Sequence, residues 1–259
     1  YLKQTFSNFI KDVAVVNNTD YVNGHLTYLI NTLKLNSTSN KDPRTVLNSV
    51  NFADACDFNN VYIYSVPKIE KSASTIIRTN YLGVAQKNAI IDDIRNKKTL
   101  TVETVMVDPV YMAADIGVID ASTELLTTAV HRNTKLEILR QTGSTKSLDS
   151  IQNSAYNILG KFFKEFELGG VVSITELSNK ILGIGGVENM YTVRTDTGQR
   201  TEGLHLVLWN PIYPDDDIST VAADVRLPYF KYAYLNDPIA FLDKINVTTS
   251  IATVNVSQS

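Results

Sequence analysis

Three histidines (His25, His131 and His205), one cysteine (Cys56) and the run Asp215-Asp216-Asp217 are the side chains of this sequence best suited to chemistry. The histidines stand far apart, and none forms the His-x-x-x-His pair by which one helix face offers two imidazoles to zinc. His205 alternates with Leu204 and Leu206 in a strand-like run and is read as a surface or boundary imidazole. A nucleophilic Cys56 would need a neighbouring base, so a buried free thiol is the simpler reading. One cysteine also excludes an intrachain disulfide and a cysteine zinc cage. The aspartate run could hold a hard cation, but it lacks the glycine and the regularly spaced further ligands of such loops and reads as solvated. Gly183-Ile184-Gly185-Gly186 shares its glycines with a dinucleotide loop, yet it follows a helix and precedes a strand, the reverse of what a phosphate loop requires. Gly143-Ser144-Thr145-Lys146-Ser147 has the end of a Walker A loop without its first glycine or its Gly-Lys order. Asn246-Val247-Thr248 matches a glycosylation acceptor, which has meaning only on a secretory route. No catalytic, cofactor-binding or metal site is expected, and the chain is not expected to be an enzyme.

Composition narrows the partners. The 259 residues are 44% hydrophobic and 20% charged with a formal net charge of −3, whereas nucleic-acid binding wants a clustered basic face. Lys97-Lys98, the densest basic pair near a helix, is read as a solvated helix end. No apolar run is long enough to span a bilayer, and none at the start resembles a signal sequence. No nucleic-acid or membrane partner is therefore expected, and one cysteine suits a reducing compartment. The chain starts at Tyr1 rather than Met, which is expected of a piece of a longer protein.

The elements are organised around Ser147 to Thr195. Leu148, Ile151, Ala155, Ile158, Leu159, Phe162 and Phe166 recur at helical steps, placing one apolar stripe on a long helix with Phe162 in the core. Gly169-Gly170 is expected to stop it. Ser173-Ile174-Thr175-Glu176 reads as a capping box that opens a shorter helix with Leu177 and Ile181 inward, and Val187 to Thr195 is extended. Upstream, Phe6 to Val13 has helical spacing, and Asn17 to Asp20 starts a helix reaching Leu33. Arg44 to Asn60 reads as a short helix and loop. Val61–Val66 is a strand, Leu82 to Lys97 a helix, and Thr99–Val107 and Tyr111–Asp120 are strands. This order predicts an α+β fold with a ferredoxin-like β-α-β-β-α-β core, one antiparallel sheet covered on one face by helices 82–97 and 147–166. The expected organisation is a mostly helical segment at 1–58, the core at 59–200 with an insertion at 121–146, and a β-rich extension at 201–259. In that extension Leu204–Trp209 is expected to pair back through the turn at Asp196–Gln199.

Val61–Pro67, Leu100-Thr101-Val102, Val107-Asp108-Pro109-Val110-Tyr111, Ile158–Phe163, Leu168-Gly169, Ser173–Leu177 and Gly186-Val187 occur in an order and spacing that resemble the baseplate J-like family of contractile-tail proteins, wedge subunits of T-even-type phages among them. Asn18-Thr19-Asp20-Tyr21 fits the same pattern. Arg226-Leu227-Pro228, where relatives tend to carry an acidic residue before Leu-Pro, and Glu124 to Gly143 depart from it. The resemblance implies a structural subunit of the virion tail baseplate, assembled in the host cytoplasm. It implies partners too: a homodimer and ring of copies, with other wedge subunits and tail proteins around them. Tyrosine and tryptophan suit interfaces because a large ring is buried while one polar atom stays wet. Trp209, Tyr229, Phe230, Tyr232 and Tyr234 are accordingly the expected interface residues of a two-fold contact, the other reading being that alternate members face an ordinary core. The alternative function is a ferredoxin-like module binding a small ligand or nucleic acid without catalysis.

Overall fold

The computed structural model describes residues 1–33, 59–68, 81–97, 102–118, 133–213 and 216–250. The chain is α+β, with several mixed sheets and few helices. It divides into two compact units, the first made of Tyr1–Tyr111, Glu167–Gly170 and Arg226–Tyr232, the second of Met112–Phe166, Val171–Val225 and Ala233–Ser259.

In the first unit a short helix α1 (Leu2–Thr5) leads into β1 (Ile10–Asn17), so the spacing of Phe6 to Val13 resolves as a turn and a strand. The Asn17 side chain then accepts a hydrogen bond from the Asp20 amide at 2.8 Å and starts a helix, as the residue types predict. Asn18–Tyr21, Val22–Leu26 and Thr27–Asn31 run on as one helix, α2, whose middle stretch is π-helical. Next come β2 (Asn60–Pro67), α3 (Val84–Arg95) and β3 (Glu103–Val107). β2 is the middle strand of the order β1-β2-β3, antiparallel to β1 and parallel to β3. Its β-branched and aromatic residues suit burial on both faces, and Tyr62, Ile63, Tyr64 and Val66 are all buried. The helix between two parallel strands packs Leu82 and Ile90 against Ile10, with Met106 and Phe9 at the margin.

The second unit holds two larger sheets. One has the order β10-β9-β4-β12, built from β4 (Val110–Ile116), β9 (Leu206–Trp209), β10 (Ile218–Val221) and β12 (Lys231–Leu235). The first residues of β4 and β12 count with the other unit. The other sheet has the order β13-β5-β7-β8, built from β5 (Thr134–Arg140), β7 (Val187–Arg194), β8 (Arg200–Glu202) and β13 (Ile245–Thr249). Helices α4 (Leu148–Glu165), α5 (Ile174–Leu182) and α6 (Pro238–Asp243) pack on it. Ser147 caps α4 and Ser173 caps α5, each hydroxyl accepting an amide three residues on. Glu176 does not close the expected box, because its carboxylate pairs with Lys180 instead. A short ribbon joins β6 (Val171–Val172) to β11 (Val225–Arg226).

Several expectations are corrected. The four strands taken for one antiparallel sheet lie in three: β2 with β3 in parallel, β4 with β9 and β12, and β7 with β5 and β8. The pleat records which face of a strand is buried but not which strand lies beside it. The supposed insertion supplies β5, a central strand, whose alternating Leu136 and Ile138 are fully buried. β8, not Leu204–Trp209, returns through the Asp196–Gln199 turn, and β9 joins β4 and β10. The C-terminal strands are not an extension either, since β12 lies beside β4 and β13 lies beside β5. Arg44 to Phe58 and the whole segment 119–132 fall outside the described residues.

Helix α4 corrects one side chain. Its core positions are Ile151, Ala155, Leu159 and Phe163, four residues apart, while Phe162 is half-buried. Phe163→Ala is expected to destabilise by about 3–5 kcal/mol and Phe162→Ala by about half as much. Chemical denaturation of both variants checks this, and equal costs would contradict the phase of the helix.

Candidate functional site: an aromatic clasp around Tyr229

An α-helix uses each amide on the carbonyl four residues back, and a π turn inserts one residue and loosens that ladder. In α2 the loosened place is filled from far along the chain. The Tyr229 hydroxyl donates to the Asp20 carbonyl at 2.7 Å and accepts from the His25 amide at 3.4 Å. Two glycines make room for it. A Cβ on Gly24 would come within 2.7 Å of the Tyr229 hydroxyl oxygen. Gly169 has φ +64, and a Cβ there would sit 2.8 Å from the Tyr229 Cα. Only glycine meets both demands at position 169.

Around this hydroxyl lies a buried aromatic cluster. The His25 ring stacks on Phe230 at 4.8 Å between centroids, and its Nδ1 lies 2.9 Å from the Tyr64 hydroxyl oxygen. Burial pulls the His25 pKa down from 6.5 to about 3, so the ring is neutral near pH 7 and can accept the phenol's hydrogen bond. Burial, with Tyr229 beside it, pushes the Tyr64 hydroxyl well above the usual tyrosine range. Tyr21 stacks on Tyr62 at 3.9 Å, and Asn18 donates to the Tyr62 hydroxyl at 3.3 Å. The Lys231 ammonium stands 4.5 Å over the Tyr28 ring, a cation–π contact made in a desolvated place. Nearby Asp12, only 6% exposed, accepts from the Leu168 amide at 2.6 Å and pairs with Lys3 at 2.8 Å. The cluster can therefore clamp the segment 226–232 onto its own unit.

The aromatic residues expected at an interface are placed inside. Phe230 and Tyr232 are 2% exposed and Trp209 is 5% exposed; Tyr229 and Tyr234 are half-buried. Tyr232 meets Tyr111 edge-on at 5.7 Å and contacts Lys11. Trp209 packs with Ala113 and Val207, and Tyr234 sits at their margin. Phe230, Tyr232 and Trp209 thus serve the chain's own packing, while Tyr229 and Tyr234 keep part of their surface exposed. His131, Cys56, Pro214 and Asp215 lie outside the described residues. Gly186 takes φ +89 in the turn before β7, with Ser144 against it, a structural use of the glycine run.

His205 borders an open cleft of about 340 Å³ that also touches Ser178, Asn179 and Glu202. Burial lowers its pKa, and its Nδ1 is enclosed without a hydrogen-bond partner. Among the described residues there is no group of three or more His, Cys, Asp or Glu side chains that could hold a metal. No helix among them is long and apolar enough to cross a membrane. No protein-family model matches the chain, and no curated protein matches its sequence.

Sequence reasoning missed the clasp. Gly24 sits inside an apparently ordinary helix, and nothing local marks a π turn. The one available signal was a glycine at a position where alanine would serve the helix better.

Two outcomes follow from the geometry. Tyr229→Phe removes the bridging hydroxyl and is expected to cost about 1–3 kcal/mol. Gly169→Ala, which meets backbone at a positive φ, should cost at least as much, and unfolding free energies check both. His25 is neutral when folded and protonated when unfolded between pH 6.5 and about 3. Its contribution is therefore present in full above the unfolded value and is lost as pH falls toward the folded one, at up to about 1.4 kcal/mol per pH unit. His25→Gln should flatten that slope, and a pH series of denaturation curves reads the difference.

Proposed function

We propose that this chain is a structural subunit of a contractile-tail baseplate. It resembles the large wedge subunit of T-even-type phages, which assembles with other copies and neighbouring wedge proteins around the tail tube. In this reading it belongs to the virion tail and couples baseplate rearrangement to sheath contraction. It works as a scaffold and not as a catalyst.

The observation that carries the reading is the use the chain makes of the residues behind the resemblance. Val61–Pro67 forms the middle strand of a sheet, Asp108-Pro109 the turn between β3 and β4, and Ser173 a helix cap. Gly169 accommodates the Tyr229 backbone, and Gly186 a turn. Each is a position where backbone geometry or packing dictates the residue. The buried or partly buried charges are likewise engaged inside the chain: Asp12 with Lys3, Asp115 with Lys244, Glu137 with Arg200. Removing one partner of such a pair leaves an uncompensated charge, so these pairs hold a unique packing.

Co-expression with the other wedge proteins of a contractile-tail baseplate tests the proposal. A complex that co-sediments and forms ring or wedge particles under the electron microscope is expected. If the folded chain stays apart from every wedge partner at micromolar concentration, the reading is wrong.

A further inference from the structure

Asn23-Gly24 is the single Asn-Gly pair in the 259 residues, and it lies in the π-helical stretch Val22–Leu26 of α2. Asn23 is exposed and Gly24 partly so. Among the described residues no hydrogen bond holds the Asn23 carboxamide. Asparagine followed by glycine is the dipeptide most prone to lose its side-chain amide. The carboxamide carbon and the next backbone nitrogen close a five-membered ring, and glycine puts no side chain in the way.

We propose that Asn23 is a site of spontaneous deamidation and that the Tyr229 clasp sets its rate. The Gly24 nitrogen gives up its proton and bonds to the Asn23 Cγ, and the carboxamide nitrogen leaves as ammonia. A succinimide ring results. Water then adds to one of the two ring carbonyls and that carbon–nitrogen bond breaks. Breakage at Cγ leaves aspartate, and breakage at the main-chain carbonyl carbon leaves isoaspartate. Water enters and ammonia departs, with no oxidation or reduction.

Ring closure demands a backbone that the clasp forbids. A helix holds ψ near about −42°, which turns the following nitrogen away from the side-chain carbon. Tyr21 and Thr27, at the two ends of the stretch, have helical dihedrals. The Asn23–Gly24 peptide must therefore rotate out of the helix before it reacts. Tyr229 lies against it: a Cβ on Gly24 would come within 2.7 Å of the hydroxyl oxygen and 2.9 Å of the ring carbon Cε1. The same hydroxyl bonds the Asp20 carbonyl and the His25 amide, one on each side of the pair. The missing side chain that admits Tyr229 is also what makes the pair reactive, so the tyrosine guards the hazard it requires.

The modification runs one way. An isoaspartyl link carries the main chain through Cβ and Cγ, adding a backbone atom between positions 23 and 24. The helical ladder cannot keep its spacing across that link, so the Asp20 carbonyl and the His25 amide no longer stand where one hydroxyl reaches both. An opening long enough to react is thus recorded covalently. Where opening and closing are fast beside the chemistry, the observed rate is the open-chain rate multiplied by the fraction open.

The full chain is incubated at mildly alkaline pH, folded and in denaturing urea. Peptide mapping by mass spectrometry follows amide-to-acid conversion at Asn23, and isoaspartyl methyltransferase labels the isoaspartate. Conversion is expected in urea and at least about tenfold slower in the folded chain. Tyr229→Phe, with its fold confirmed by circular dichroism, should react about fivefold faster than the parent or more. No conversion at Asn23 in urea, or equal rates in the folded and unfolded chain, overturns the proposal. So does a folded Tyr229→Phe variant that reacts no faster than the parent. If that variant does not fold, sub-denaturing urea on the parent supplies the reading. A rate that climbs ahead of global unfolding supports gating by the clasp, and a rate that follows global unfolding alone overturns it.

Discussion

The first unit depends on one hydroxyl. Beside the π turn in α2, the Asp20 carbonyl and the His25 amide both bond to the Tyr229 hydroxyl. Such groups cost free energy when left unpaired, so the helix and the segment bearing Tyr229 hold each other in place. The remaining features of the cluster follow from this contact. Gly24 and Gly169 lack side chains where the tyrosine must fit. Phe230, its neighbour in sequence, is brought onto His25, whose ring stays neutral because water is excluded.

How much of this was legible varies with the range of the interaction. Helix starts were readable because a cap is local: Asn17, Ser147 and Ser173 each bind an amide three residues on. So were β2, β7 and the buried pair Leu177 and Ile181, whose periodicities are strong. The partition into sheets was not, because hydrophobic alternation in Val110–Ile116 says the strand is buried and says nothing of β9 beside it. The segment containing β5 showed its alternation plainly, yet its place between β13 and β7 depends on residues 47 to 109 positions away in sequence. The phase error at Phe162 has a simpler origin. Two adjacent phenylalanines both continue the stripe, and only the steps from Ile151 through Ala155 and Leu159 select Phe163.

The candidate interface illustrates a broader limit. Aromatic residues enrich at interfaces and in cores for the same reason, the large area each buries. Composition alone cannot separate the two, and here Phe230, Tyr232 and Trp209 went inward. The outer face of the β13-β5-β7-β8 sheet mixes exposed Lys135, Arg200 and Glu202 with half-exposed Tyr191 and Val193, an order that appears only once strand register is known.

The clasp also has a consequence for biosynthesis. Tyr229 is separated from its bonding partners in α2 by 204 and 209 positions along the chain. A ribosome releases α2 early and Tyr229 late, so His25 and Tyr28 wait through most of translation without Phe230 against them. Domains that close on local contacts can fold as they emerge, at elongation rates of about 5–20 residues per second. This contact forms only once Tyr229 has been made, about 10–40 seconds after α2 at those rates.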